Sequence, residues 1–149
     1  MQHVIALVAM IAFVGSQAGQ PPSVSPFVGS WAANIAKSRQ SPNYPFQSAR
    51  LQVGVDGDIV RMSNVVVNAS GMEQRAAQTF RSDGTETPVA LRPGVSIIAQ
   101  WLGTHVLAMI AKQNDQVIAL ETYEVSADGR TLTARSSGRV EHVIVFERE

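Results

Sequence analysis

Residues 49–58 read ARLQVGVDGD, and the order of side chains in that stretch decides the fold class. Ala49, Leu51, Val53 and Val55 alternate with Arg50, Gln52, Gly54 and Asp56, so every second side chain is apolar. An extended strand sends successive side chains to opposite faces, whereas a helix needs an apolar repeat of about 3.6 residues. The stretch therefore reads as a strand with one dry and one wet face. Asp56-Gly57 closes it with a pair suited to a tight hairpin, because glycine takes positive φ at little cost.

The same pattern recurs outward in both directions. Met72, Ala76 and Phe80 alternate against Glu73, Arg75, Thr79 and Arg81, and Asp83-Gly84 and Asp128-Gly129 repeat the hairpin signal. Asn68 to Gly71 and Gln113 to Gln116 read as longer turns. Strands are expected over 27–37, 48–56, 58–68, 72–82, 95–103, 105–113, 116–126, 130–137 and 139–148, with a short one over 87–91. The run Ser96 to Ala111 (SIIAQWLGTHVLAMIA) is apolar enough for a helix, but Gly103 in its middle and its Ile, Trp and Val content favour a hairpin. Eight to ten strands in succession form an antiparallel up-and-down meander, which removes its exposed edges best by closing into a barrel. The expected fold is all-β.

The chain has 149 residues, enough for one domain with a proper core and no covalent staples. Cysteine is absent, which excludes thiol catalysis, cysteine metal sites and redox motifs while leaving the compartment open. Twelve basic residues balance twelve acidic ones, so no global field steers the chain to nucleic acid. Val4 to Val14 (VIALVAMIAFV) is an unbroken apolar run, followed by Gly15-Ser16-Gln17-Ala18 with small residues three places and one place before a cut after Ala18. It is shorter than the about twenty apolar residues that span a bilayer. Residues 1–18 therefore read as a signal peptide, against the alternative of a buried N-terminal helix or strand, and residues 19–149 as the mature barrel. The flank Met1-Gln2-His3 carries no Lys or Arg and relies on the α-amino group and His3 for positive charge. A secreted or periplasmic location follows as an expectation, with no membrane span in the mature chain.

Just after that segment stands Phe27-Val28-Gly29-Ser30-Trp31, continuing through Ala36-Lys37-Ser38. The FxGxW element resembles the opening of the calycins, the lipocalins and cellular fatty-acid-binding proteins. The longer run is similar to that of small secreted bacterial proteins with a lipocalin-like barrel and no assigned activity. The resemblance implies that Gly29 lets the first strand bend, that Trp31 plugs one end of the barrel, and that a basic residue of the last strand, Arg148 or less well Arg139, stacks on it. A buried Trp covers up to about 250 Å², and a cation over its ring adds about 1 kcal/mol. In fatty-acid-binding proteins an Arg-x-Tyr pair on the final strand grips the ligand carboxylate; here Ile144 and Phe146 stand in those places, so that clamp is missing. Arg61 or Arg135 is left as the candidate partner for a carboxylate.

The chemistry that remains is sparse. His105 and His142, with Glu121, Glu124 and Glu141 on neighbouring expected strands, could gather a zinc ion, although no two of them show the close spacing of a metal motif. No nucleophile elbow, phosphate-cradling glycine loop or cofactor motif occurs, and the aspartates at 56, 58, 83 and 128 belong to turns. The apolar inventory either fills the barrel or lines a cavity for one small ligand. The leading expectation is a binding protein for a small hydrophobic or amphipathic molecule, with Phe80, Trp101, Tyr123 and Arg61 as candidate ligand contacts and Phe27, Gly29, Trp31 and Arg148 as the structural motif. Two rival readings stand beside it. One is an interaction module with a filled barrel that displays the loops Arg39 to Phe46 and Ser82 to Gly94; the other is a barrel isomerase or cyclase with His105 or His142 as base.

Overall fold

The computed structural model describes residues 24–149, so the expected signal peptide over 1–18 lies outside the described residues. Ten strands run in antiparallel succession: β1 (Gly29–Ala33), β2 (Phe46–Asp56), β3 (Ile59–Asn68), β4 (Glu73–Arg81), β5 (Thr87–Pro88), β6 (Val95–Trp101), β7 (Val106–Gln113), β8 (Gln116–Val125), β9 (Thr131–Gly138) and β10 (His142–Arg148). They form one sheet in the order β4-β3-β2-β1-β10-β9-β8-β7-β6-β5. Every ladder is a hairpin between sequence neighbours except β1 with β10, whose register sets Trp31 opposite Arg148. Ser96 to Ala111 is a β6–β7 hairpin, with Ile98 opposite Ile110.

The sheet curls until its two ends almost meet. The Gly84 N–H donates to the Ala99 carbonyl at 2.9 Å, Asp83 bridges Gln100, and the Arg81 N–H donates to Thr87 Oγ1 at 3.1 Å. Farther along, β5 is only two residues long and cannot cover β4, whose residues 73–77 stay exposed. Glu73, Gln74 and Arg75 on that uncovered edge discourage a second chain from pairing with it.

Two boundaries differ from the sequence reading. The first strand, expected to reach residue 37, stops at Ala33, because the Asn34 side chain accepts a hydrogen bond from the Lys37 N–H and caps a single 3-10 turn over Ile35–Lys37. The β7–β8 connection, expected as a longer turn, is a two-residue hairpin with Asn114 at φ 50° and Asp115 at φ 65°. Both are residue types that tolerate the left-handed region, so this tight turn needs no glycine.

The barrel interior is asymmetric. Its largest fully buried side chains, Trp31, Phe27, Phe80, Leu107, Leu132, Val60 and Val125, all lie toward the end that carries the Asp56-Gly57, Asp83-Gly84 and Asp128-Gly129 turns. At the opposite end, ringed by the 34–45 connection and by the turns at 69–72, 89–94, 114–115 and 139–141, the inward positions carry smaller residues such as Ala111, Ala119 and Ser136.

Candidate functional site

The filled end is closed by a cluster on the first strand. Trp31 is 0% exposed, and its indole Nε1–H donates to the Phe27 carbonyl at 3.0 Å. Phe27 meets Trp101 edge to face at a centroid separation of 5.0 Å, and the Trp101 indole donates to Ser82 Oγ at 3.0 Å. The Arg148 guanidinium lies 4.1 Å from the centre of the Trp31 ring and donates to the Pro26, Val28 and Gly129 carbonyls at 2.6, 2.8 and 2.8 Å. One side chain thus ties the entry segment, the last strand and the β8–β9 turn together. Gly29, at φ 137°, makes room for it, since a Cβ there would stand 2.6 Å from Arg148 Nη1. The need for glycine is therefore set by the arginine as well as by the backbone. Arg139 sits at the far end of the barrel and donates to Gln113 Oε1 at 2.6 Å, so it plays no part in this cluster.

Past the barrel's middle the small inward residues leave a cavity of about 450 Å³. Gln78, Ile97, Met109, Ala111, Ala119, Glu121 and Ser136 line it, and Tyr44, Val89, Arg92, Val95, Arg139 and Val140 surround its mouth. The wall is divided about evenly between apolar and polar surface. Its ionisable interior group is Glu121, placed on β8 opposite Met109 on one side and Ser136 on the other. The Tyr123 hydroxyl, two residues along the same face, donates to Glu121 Oε2 at 3.0 Å. Burial raises the Glu121 carboxyl above the usual carboxylate range, against the hydrogen bond from Tyr123, which lowers it. Burial first, and then the nearby Glu121 carboxylate, push the Tyr123 phenol well above its ordinary value, so it remains a neutral donor. Ser136 Oγ donates to the Val140 carbonyl at 3.0 Å and is already partnered.

Four residues expected to contact a ligand occupy different places. Tyr123 reaches the cavity through Glu121. Phe80 is packed in the filled half at 1% exposure, and Trp101 belongs to the closed-end cluster; neither lines the cavity. Arg61 requires a correction: Val60 and Met62 on either side of it are buried, so on a pleated strand Arg61 points outward, where it is exposed. Arg135 is likewise flanked by buried Ala134 and Ser136 and pairs with Glu124 on the outer face at 3.6 Å. Neither arginine can meet a carboxylate inside the barrel. Ile144 and Phe146 are buried apolar core residues.

The histidines do not come together. His105 stands in the β6–β7 turn at the closed end with Nδ1 2.8 Å from Thr104 Oγ1, whereas His142 begins β10 at the open end. Among the described residues no group of three His, Asp or Glu side chains could hold a metal ion. Neither histidine lines the cavity around Glu121.

The raised Glu121 carboxyl makes a stability prediction with a definite sign. Its native form holds a proton over a pH interval in which the unfolded chain has already lost it, so stability falls as pH rises through that interval. Glu121→Gln removes the charge at constant shape. The variant is expected to unfold at higher denaturant than wild type at neutral pH, and the advantage should vanish below about pH 4, where the carboxyl is neutral in both states. Urea titrations across pH read this directly, and equal midpoints at neutral pH would contradict it.

The antiparallel barrel, closed by Trp31 at one end and hollow at the other, has the fold of several solved structures. The fold is similar to that of fatty-acid-binding protein 1 of Echinococcus granulosus, with a TM-score of 0.58 and 15% identity over 83% of this chain and 97% of that one. It is also similar to a Schistosoma mansoni fatty acid binding protein in complex with arachidonic acid (TM-score 0.57, 15% identity, 85% and 98% covered). The fluorescent protein UnaG gives a TM-score of 0.54 at 18% identity, with 83% and 97% covered. The likeness is one of fold. No protein-family model and no curated protein sequence matches the chain.

Proposed function

We propose that this protein is an exported binding protein that holds one small hydrophobic or amphipathic molecule in the open half of its barrel. The observation that carries the reading is the division of the interior: bulky side chains fill one half, while alanines and a serine at the inward positions of the other leave about 450 Å³ lined by apolar and polar groups together. A concave cavity of that size, with polar groups placed among apolar ones, is the form that small-molecule sites take. That a structural neighbour is described in complex with arachidonic acid supports the choice of ligand class.

Ala111 faces Ala119 across the β7–β8 ladder at the narrowest-lined part of the wall, so a bulky side chain there occupies ligand space. A fluorescent apolar probe displaced by a lipid extract is expected to bind the wild type and to bind Ala111→Trp at least about ten-fold more weakly, a loss of roughly 1.4 kcal/mol. Circular dichroism establishes that the variant keeps its sheet. Probe binding unaltered by the substitution would place the ligand elsewhere and overturn the reading. Export rests on the apolar run from Val4 to Val14 and the small residues at Ser16 and Ala18. Mass analysis of the protein recovered from its native host should find a chain beginning at Gly19.

A further inference from the structure

Beside Gln78 and Ser136 the cavity is lined by a half-buried acid, Glu121. Its Oε2 is taken by the Tyr123 hydroxyl, whereas its Oε1 receives no hydrogen bond from the described residues. No arginine or lysine among them forms an ion pair with it; Arg92 and Arg139 stay at the exposed rim, and Arg139 is occupied with Gln113. A half-buried carboxylate with one unpartnered oxygen and no ion pair is stabilised most by a cation that donates a hydrogen bond to it.

We propose that the cavity selects an apolar molecule bearing a protonated amine, which enters head first and sets its ammonium on Oε1 of Glu121. This inference rests on the cavity being a binding site, and it names the ligand class. The ammonium supplies the missing donor, while Ile97, Met109 and Ala119 cover the chain behind it. A fatty carboxylate entering the same way would bring a second acceptor and a like charge against Glu121, and the cavity interior holds no cation to offset it. Rim arginines attract anions, but exposed charges are screened over about 8–10 Å of salt solution, whereas Glu121 is half-buried and lines the hollow itself.

The test is competition by decylamine, decanol and decanoate for the bound apolar probe, on wild type and on Glu121→Gln. Decylamine is expected to bind wild type about ten-fold more tightly than decanoate, and the gap should close in Glu121→Gln, with each competitor's affinity corrected for the probe affinity measured separately on each protein. Equal affinities of amine and decanol, or an amine preference that survives in Glu121→Gln, would overturn the inference and leave the binding site intact. Failure of the probe and of all three competitors to bind wild type would overturn the binding reading as well.

Discussion

Replacing Trp31 with alanine is expected to lower the unfolding free energy by about 3–5 kcal/mol, the usual consequence of deleting a fully buried large aromatic. Trp31 has 0% exposure and anchors three things at once: the Phe27 carbonyl through its indole N–H, the Arg148 guanidinium over its face, and the core of the closed half. The vacated volume cannot collapse readily, because a closed barrel fixes the distance between its walls. Equilibrium urea unfolding followed by fluorescence of the remaining Trp101 measures the effect. A loss below about 1 kcal/mol would mean that the closed end is sealed by Phe27 and its neighbours without Trp31. Trp31→Phe keeps the ring and loses the indole hydrogen bond, so it should fall between the two.

Gly138→Ala is expected to cost about 2–4 kcal/mol, combining backbone strain with overpacking. Gly138 lies at φ 114°, and a Cβ on it would collide with the carbonyl oxygen of Ile118 and stand 3.0 Å from Ala119 Cα. The obstacle is backbone, which cannot rotate aside as a side chain would. Because Ile118 and Ala119 also line the cavity, the same substitution should weaken probe binding. Gly57→Ala supplies the contrast: its φ is 55° with nothing within 4 Å of the added Cβ, so strain alone should cost only about 1 kcal/mol. Thermal unfolding of the two variants side by side separates collision from strain, and equal losses would contradict the collision.

The strands and most turns were legible because both signals are local. Period-two alternation in Ala49 to Asp56 and the three Asp-Gly pairs need no knowledge of the partner strand. The cavity residues were harder to read because the facing of a strand depends on register. In β3 the sequence IVRMSNVVVN is mixed at both parities, so nothing local says that Val60 and Met62 turn inward and Arg61 outward. On β8 the ordinary preference is reversed: Leu120 is 53% exposed on the outer face, while Glu121 and Tyr123 face in. One constraint was available, since Tyr123 as an inward residue requires Glu121 inward and excludes Leu120 from the same face. The asymmetry of filling has no local signal at all, because it compares inward positions of different strands at one height of the barrel.

The pairing of β1 with β10 has a consequence for how the molecule comes into being. Trp31 finds Arg148 more than a hundred residues away in sequence, so the closed end cannot be assembled before Arg148 has been made. Such a long-range ladder adds the loop-closure entropy that slows folding of β-rich chains. If the chain is exported as proposed, that delay keeps it extended until the strand that carries Arg148 is delivered.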